Sequence, residues 1–156
     1  MSIRVIQVGL GPIGNAVLGQ LVARSGFKVV GAVDIDPSKI GHDVGLLAGV
    51  GSRLGVTVDP DIGSTCNRVK ADAVVLCTSS SLKQVTTQIE TILRVKLPIV
   101  STSEELSYPV TANVRYARRI DRLAKRSKVA VLGTGVNPGF TMDALPISLT
   151  GVCERV

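Results

Sequence analysis

The sequence predicts an α/β fold, a doubly wound parallel sheet with helices on both faces. Three observations predict it. Short apolar runs rich in Val, Ile and Leu alternate along the chain with stretches of helical periodicity. A glycine cluster, Gly9-Leu-Gly-Pro-Ile-Gly14, stands where the first apolar run stops. Hydrophobic residues make up 45% of the 156 residues but aromatics only 3%, with no Trp. The core must therefore be aliphatic, as suits a parallel sheet buried on both faces, and the length is enough for one domain with a proper core.

Each element follows in turn. Ile3 to Val8 reads as a buried strand that stops at glycine. A helix is expected from Pro12 to Arg24, with Pro12 suited to its first turn and Gly26 to its C-terminal cap. Lys28 to Val33 reads as a second strand ending at Asp34. Ile40 to Leu47 reads as a short helix, followed by glycine-rich sequence and a short strand at Val56 to Val58. Ala73 to Cys77 is the next strand, and the polar turn Thr78 to Ser81 can cap the helix after it. That helix, Leu82 to Arg94, carries Leu82, Val85, Ile89, Ile92 and Leu93 at core spacing. Pro98 leads into a strand at Ile99 to Ser101. A basic helix over Arg115 to Lys128 follows, then a strand at Val129 to Leu132 and the loop Gly133 to Gly139. A last helix is expected from Phe140 to Ser148, and Thr150 to Val156 reads as a new strand beginning. Strands joined through helices in this way imply right-handed crossovers. The expected organisation is a dinucleotide-binding domain over residues 1–150, with 151–156 opening a further substrate domain.

The glycine cluster matches G-x-G-x-x-G. It follows a predicted strand, opens a predicted helix, and is followed about 20 residues on by Asp34 at the end of the second strand. That context points to a Rossmann-type dinucleotide site. Gly9 permits the tight turn, Gly11 leaves room for a pyrophosphate, and Gly14 allows close packing of the helix. Pro12 and Ile13 complete the helix start, whose free N–H groups and dipole attract phosphate. Asp34 is expected to accept hydrogen bonds from the adenosine ribose. Its charge repels a 2′-phosphate and favours NAD over NADP, although Lys39 could reach such a phosphate if its loop turns inward. Ligands in these sheets bind beyond the carboxyl ends of the strands. Cys77, Thr78 and Ser79, then Ser101, then Gly135 and Asn137 are therefore further cofactor-binding candidates. The Ser/Thr clusters could equally be helix caps, and Asn137 could simply shape a turn.

At these segments the chain resembles the N-terminal half of the 2,4-diaminopentanoate dehydrogenases, a group similar to dihydrodipicolinate reductase. The resemblance is carried by Gly9 to Gly14, by Gly41-His-Asp-Val-Gly45 with Gly49-Val-Gly51, by Cys77-Thr-Ser-Ser80, by Ser101-Thr-Ser-Glu-Glu105, and by Gly133-Thr-Gly-Val-Asn-Pro-Gly-Phe140 with Met142-Asp143. It implies an NAD(P)-dependent oxidoreductase acting at an amine-bearing carbon of a small amino acid, with hydride passing to or from the nicotinamide. It also implies a second domain supplying most substrate contacts. The histidine-rich catalytic motif of dihydrodipicolinate reductase has no counterpart here, where His42 is the one histidine. The catalytic residues stay unassigned, and this chain alone is expected to be inactive.

Other features are weighed against plainer readings. The net charge of +6 comes largely from the basic helix. Its apolar members Val114, Ala117, Ile120, Leu123 and Ala124 share a face, so the charges form a solvated surface. With no aromatics interleaved, nucleic acid is not expected as a partner. No apolar run approaches the roughly 20 residues that span a bilayer, and no leader is read at the N-terminus, so a cytoplasmic protein is expected. Cys66, Cys77 and Cys153 lack metal-ligand spacing. Cys77 reads as a structural thiol rather than a nucleophile. Glu104 and Glu105 read as charges at a helix start rather than ligands for a substrate ammonium. Competing readings are a stand-alone nucleotide-sensing module, a dihydrodipicolinate-reductase-like enzyme, and a methyltransferase using Val33-Asp-Ile-Asp-Pro37 for S-adenosylmethionine. A homo-oligomer is one expected state.

Overall fold

The computed structural model describes Ser2 to Val156. Its strands are β1 (Ile3–Val8), β2 (Phe27–Val33), β3 (Val58–Asp59), β4 (Ala73–Leu76), β5 (Ile99–Ser101) and β6 (Val131–Gly133). They form one parallel sheet in the order β3-β2-β1-β4-β5-β6. This is the Rossmann-type order, with the direction of winding reversing between β1 and β4. A crevice must open there beyond the carboxyl ends of the two strands.

Helices α1 (Pro12–Ala23), α2 (Val44–Leu47), α3 (Ile62–Arg68), α4 (Leu82–Arg94), α5 (Val114–Ser127) and α6 (Leu145–Thr150) connect or follow the strands. Two aliphatic cores result. One gathers Ile6, Val8, Val74, Leu76 and Ile99 of the sheet under α3, α4 and α5. The other joins Val29 and Ala32 to Leu18 of α1 and Val44 of α2. The face of α4 expected to be apolar is fully inside, with Leu82, Val85, Ile89, Ile92 and Leu93 all buried. Each such side chain contributes about 1.5–3 kcal/mol of hydrophobic stabilisation. By contrast Val100 of β5 and Leu132 of β6 remain exposed.

Several elements depart from the sequence expectation. The helix expected over Ile40–Leu47 is only the single turn α2, because Asp43 caps it, accepting from Gly45 N–H at 2.9 Å. The expected strand at Val56–Val58 is reduced to Val58–Asp59, preceded by an isolated antiparallel bridge between Asp43 and Thr57. Helix α3 has no counterpart in the sequence reading. Its IGSTCNR sequence lacks an apolar stripe, and it is nucleated by Asp61, which accepts from Ser64 N–H at 2.6 Å. The helix expected from Phe140 is instead a π-helical run, Val136–Ala144, that passes into α6. Phe140 N–H donates to Gly135 O at 3.0 Å, the wide i→i+5 winding of that helix type. The strand expected over Thr150–Val156 is absent: α6 ends in a turn closed by Cys153 N–H on Thr150 O at 2.9 Å.

Candidate functional site

The glycine loop spans the top of β1. Gly9 has φ +88°, and a Cβ there would lie 2.4 Å from Cys77 O, so both the left-handed turn and the closeness of β4 demand glycine. A Cβ on Gly14 would come within 2.0 Å of Gly9 O. The closest approach at Gly14 is therefore to the loop itself, with Gln7 Nε2 of β1 next at 3.3 Å. Gly11 differs from both, since a Cβ there meets nothing within 4 Å. Its bareness serves no packing need, and it opens onto free space where α1 begins. Gly11 caps α1 without any side-chain hydrogen bond, and Pro12 is its first residue. A helix start of this kind presents unsatisfied N–H groups to an anion.

Two clefts meet at this point. The smaller, of about 430 Å³, is bordered by Gly9, Asp34, Ile35 and Lys39 on one side and by Pro60, Ile62 and the α4 residues Thr87 and Gln88 on the other. The larger, of about 1110 Å³, runs along α1 past Pro12, Ile13 and Gly14 to Thr102, Glu104, Gly135 and Asn137. Gly11, Cys77, Thr78 and Ser79 border both. The two clefts are thus continuous across the β1/β4 crevice, with the bare Gly11 between them. Of the cofactor-binding candidates read from the sequence, Ser101 alone borders neither cleft. It is buried in β5, where its hydroxyl accepts from Ser103 N–H at 3.1 Å. Its neighbour Thr102 reaches the larger cleft instead.

Asp34 also makes bonds within the protein. Its Oδ2 accepts from Leu10 N–H at 2.7 Å and its Oδ1 from Asp36 N–H at 2.9 Å. The loop does bring Lys39 inward, with Nζ 3.4 Å from Asp34 Oδ2 and 3.4 Å from Asp36 Oδ2. The carboxylate at the end of β2 therefore ties down the glycine loop, and a cation partly offsets its charge. Burial pushes the Cys77 thiol up in pKa, against weaker opposing hydrogen bonds from Gln7 and Thr102. Burial likewise pushes Cys66 up to about 11. Cys77 is therefore a neutral thiol, in line with its structural reading.

The Ser/Thr clusters divide between wall and cap. Thr78 Oγ1 donates to Gln88 Oε1, and Ser79 Oγ donates to Gln84 Oε1, each at 2.5 Å. Ser79 Oγ also accepts from Ser81 N–H at 3.1 Å. The first N–H of α4 is bound from a distance in sequence, with Leu82 N–H donating to Glu105 Oε2 at 2.7 Å. Glu105 thus sits at a helix start as expected, but that of a different helix, while Glu104 faces the larger cleft. Sequence reasoning missed Ile35, Pro60 and Ile62 in the smaller cleft. The signal for Ile35 was an apolar side chain placed just past the acidic end of β2; it is 84% exposed. Pro60 and Ile62 became visible only with α3. Among the described residues, no helix is long and apolar enough to cross a membrane.

No family model matches the chain. It is 36% identical over 162 residues to 2,4-diaminopentanoate dehydrogenase of Acetoanaerobium sticklandii, an alignment covering 99% of this chain and 44% of that protein. The amine dehydrogenase from Mycobacterium smegmatis superposes with a TM-score of 0.91 at 29% identity, over 100% of this chain and 46% of that one. A scyllo-inositol dehydrogenase from Lactobacillus casei, solved with bound NAD(H) and scyllo-inositol, has a TM-score of 0.63 at 18% identity, over 84% of this chain and 36% of that one. The last likeness is one of fold. The chain spans less than half the length of these relatives, and it is a homologue of the dehydrogenase that its motifs resemble.

Proposed function

We propose, from homology to 2,4-diaminopentanoate dehydrogenase along 99% of the chain, that this chain is the cofactor-binding part of an NAD(P)-dependent oxidoreductase acting at the amine-bearing carbon of a small amino acid. The observation that carries the proposal is the open Gly11 between two continuous clefts. The cradle fits a dinucleotide. Gly11 and the start of α1 would hold the pyrophosphate. Ile35, Pro60 and Ile62 of the smaller cleft would hold the adenosine half, and Thr78, Gly135 and Asn137 of the larger one the nicotinamide half. When bound, the nicotinamide supplies a hydride acceptor. This chain's own residues bind and orient it, and Glu104 brings a carboxylate to the same cleft that suits a substrate ammonium.

We propose NAD as the preferred cofactor and NADP as the alternative. Asp34 sets the preference through its negative charge, and Lys39 moderates it. Residues 1–150 form the dinucleotide-binding domain. A further domain, of the kind that the relatives' greater length can hold, covers the larger cleft and supplies the substrate contacts. Calorimetric titration with NAD, NADP and S-adenosylmethionine tests the cofactor. NAD is expected to bind. NADP at least about tenfold tighter would overturn the preference, and binding of S-adenosylmethionine alone would overturn the dehydrogenase reading. Joining the chain to the remaining length of its relative, then assaying 2,4-diaminopentanoate with NAD, tests the activity. Turnover is expected in the extended protein only.

A further inference from the structure

Gln7 is a polar residue near the carboxyl end of β1, fully inside the protein. Its Nε2 donates to Gly9 O at 3.0 Å, while its Oε1 has no hydrogen-bond partner. A buried acceptor left unpaired costs stability, so an aliphatic side chain would serve the core better. The geometry of the loop accounts for the amide. The peptide joining Gly9 to Leu10 is held at both ends: its carbonyl by Gln7 from beneath, and its N–H by Asp34 Oδ2 at 2.7 Å from the rim. A third bond, Gly9 N–H to Val33 O at 2.9 Å, anchors the preceding peptide to β2. A glycine-rich loop otherwise has many conformations open to it, and each one unsuited to the ligand lowers affinity by the fraction of molecules occupying it.

We propose that Gln7 is a positioning residue for the cofactor, its buried amide clamping the Gly9–Leu10 peptide against Asp34 so that the turn over Gly11 is preset to receive the pyrophosphate. Gln7 touches no ligand: its amide meets the Cys77 thiol and the Gly9 carbonyl, and it acts on the loop through Gly9. The inference rests on the dinucleotide reading given above.

The test is calorimetric titration of the wild-type chain, Gln7→Met and Gln7→Glu with NAD, alongside thermal melting of each without ligand. A clamp predicts that Gln7→Met melts at or above the wild-type temperature yet binds NAD at least about tenfold more weakly. In Gln7→Glu, a carboxyl in this buried setting has a raised pKa. Its protonated form can donate to Gly9 O as the amide does, and its ionised form cannot. NAD affinity of Gln7→Glu is therefore expected near the wild-type value at about pH 6 and to weaken as pH rises toward about 9, while the wild type stays flat. A merely structural role would lower the melting temperature and leave affinity in the folded protein unchanged. NAD affinity in Gln7→Met within twofold of the wild type would overturn the clamp. Should that variant fail to fold, a pH-independent affinity in Gln7→Glu overturns it instead. A wild-type chain that binds no NAD removes the dinucleotide reading and the clamp together, and that arm distinguishes the two failures.

Discussion

Three glycines occupy one motif, and each is required for a different reason. Gly9 and Gly14 are demanded by the fold, since a methyl group at either would meet backbone oxygen at 2.4 and 2.0 Å. The fold makes no such demand at Gly11, where a Cβ would meet nothing within 4 Å. Substitutions should therefore separate stability from binding. Gly9→Ala is expected to destabilise by upwards of about 2 kcal/mol, through strain at a positive φ and overpacking, read by urea denaturation. Gly11→Ala is expected to melt like the wild type while NAD affinity falls at least about tenfold, read by calorimetry. The cysteines make a second set. Cys153 is exposed, whereas Cys66 and Cys77 are held as neutral thiols by burial. Iodoacetamide at neutral pH should modify Cys153 first and Cys77 much more slowly, because the thiolate is the reactive form. Mass spectrometry of the labelled peptides would show the order.

Individual elements depend on contacts remote in sequence. Helix α4 begins with no side-chain bond from its own N-cap, Ser81. Glu105 supplies it from beyond β5, accepting from Leu82 N–H and also from Asn113 Nδ2 at 3.2 Å. Glu105→Ala is expected to cost about 1 kcal/mol, measured by the urea midpoint, and to loosen the wall that carries Thr78 and Ser79. The starts of β1 and β4 are tied by Arg4, whose Nη2 lies 2.6 Å from Asp72 Oδ1. The hydrogen-bonded guanidinium holds the Asp72 carboxyl down to about 2, from an ordinary 3.8. A depressed carboxyl pKa stabilises the fold above its unfolded value and loses that contribution as pH falls through the folded one. The loss should run between about pH 4 and pH 2. Asp72→Asn should flatten this part of the acid-unfolding curve, followed by circular dichroism.

The molecule as a whole is unevenly covered. Three helices shield one sheet face. On the other, α1 leaves the larger cleft open, and Val100 and Leu132 stay exposed. The C-terminal segment adds Phe140, Met142, Ile147 and Leu149, all exposed, and α6 buries no residue at all. Exposed apolar side chains in this number favour a contact face. The chain by itself is expected to self-associate with rising concentration, read by sedimentation velocity, and to become monomeric when Phe140 and Ile147 are replaced together by serine. A clean monomer of the wild type at high concentration would count against that face.

Sequence alone determined the alternation of strands and helices through most of the chain, the amphipathic faces of α4 and α5, and the position of the glycine turn after β1. These depend on local periodicity and on residues that only certain backbone shapes accept, both of which are written in neighbouring positions. It did not reveal α3, whose seven residues carry a cap but no apolar stripe, or the π winding after Gly135, which depends on one altered hydrogen-bond register. Tertiary structure alone decided the fate of the polar groups. Asp34 turned back to hold Leu10, Lys39 came to rest beside it, Ser101 sank into the sheet, Glu105 crossed to another helix, and Gln7 came to lie beneath the glycine loop. A hydrogen bond is settled by whichever partner the fold brings within about 3 Å, and in a doubly wound sheet that partner comes from a different strand or helix, remote along the chain.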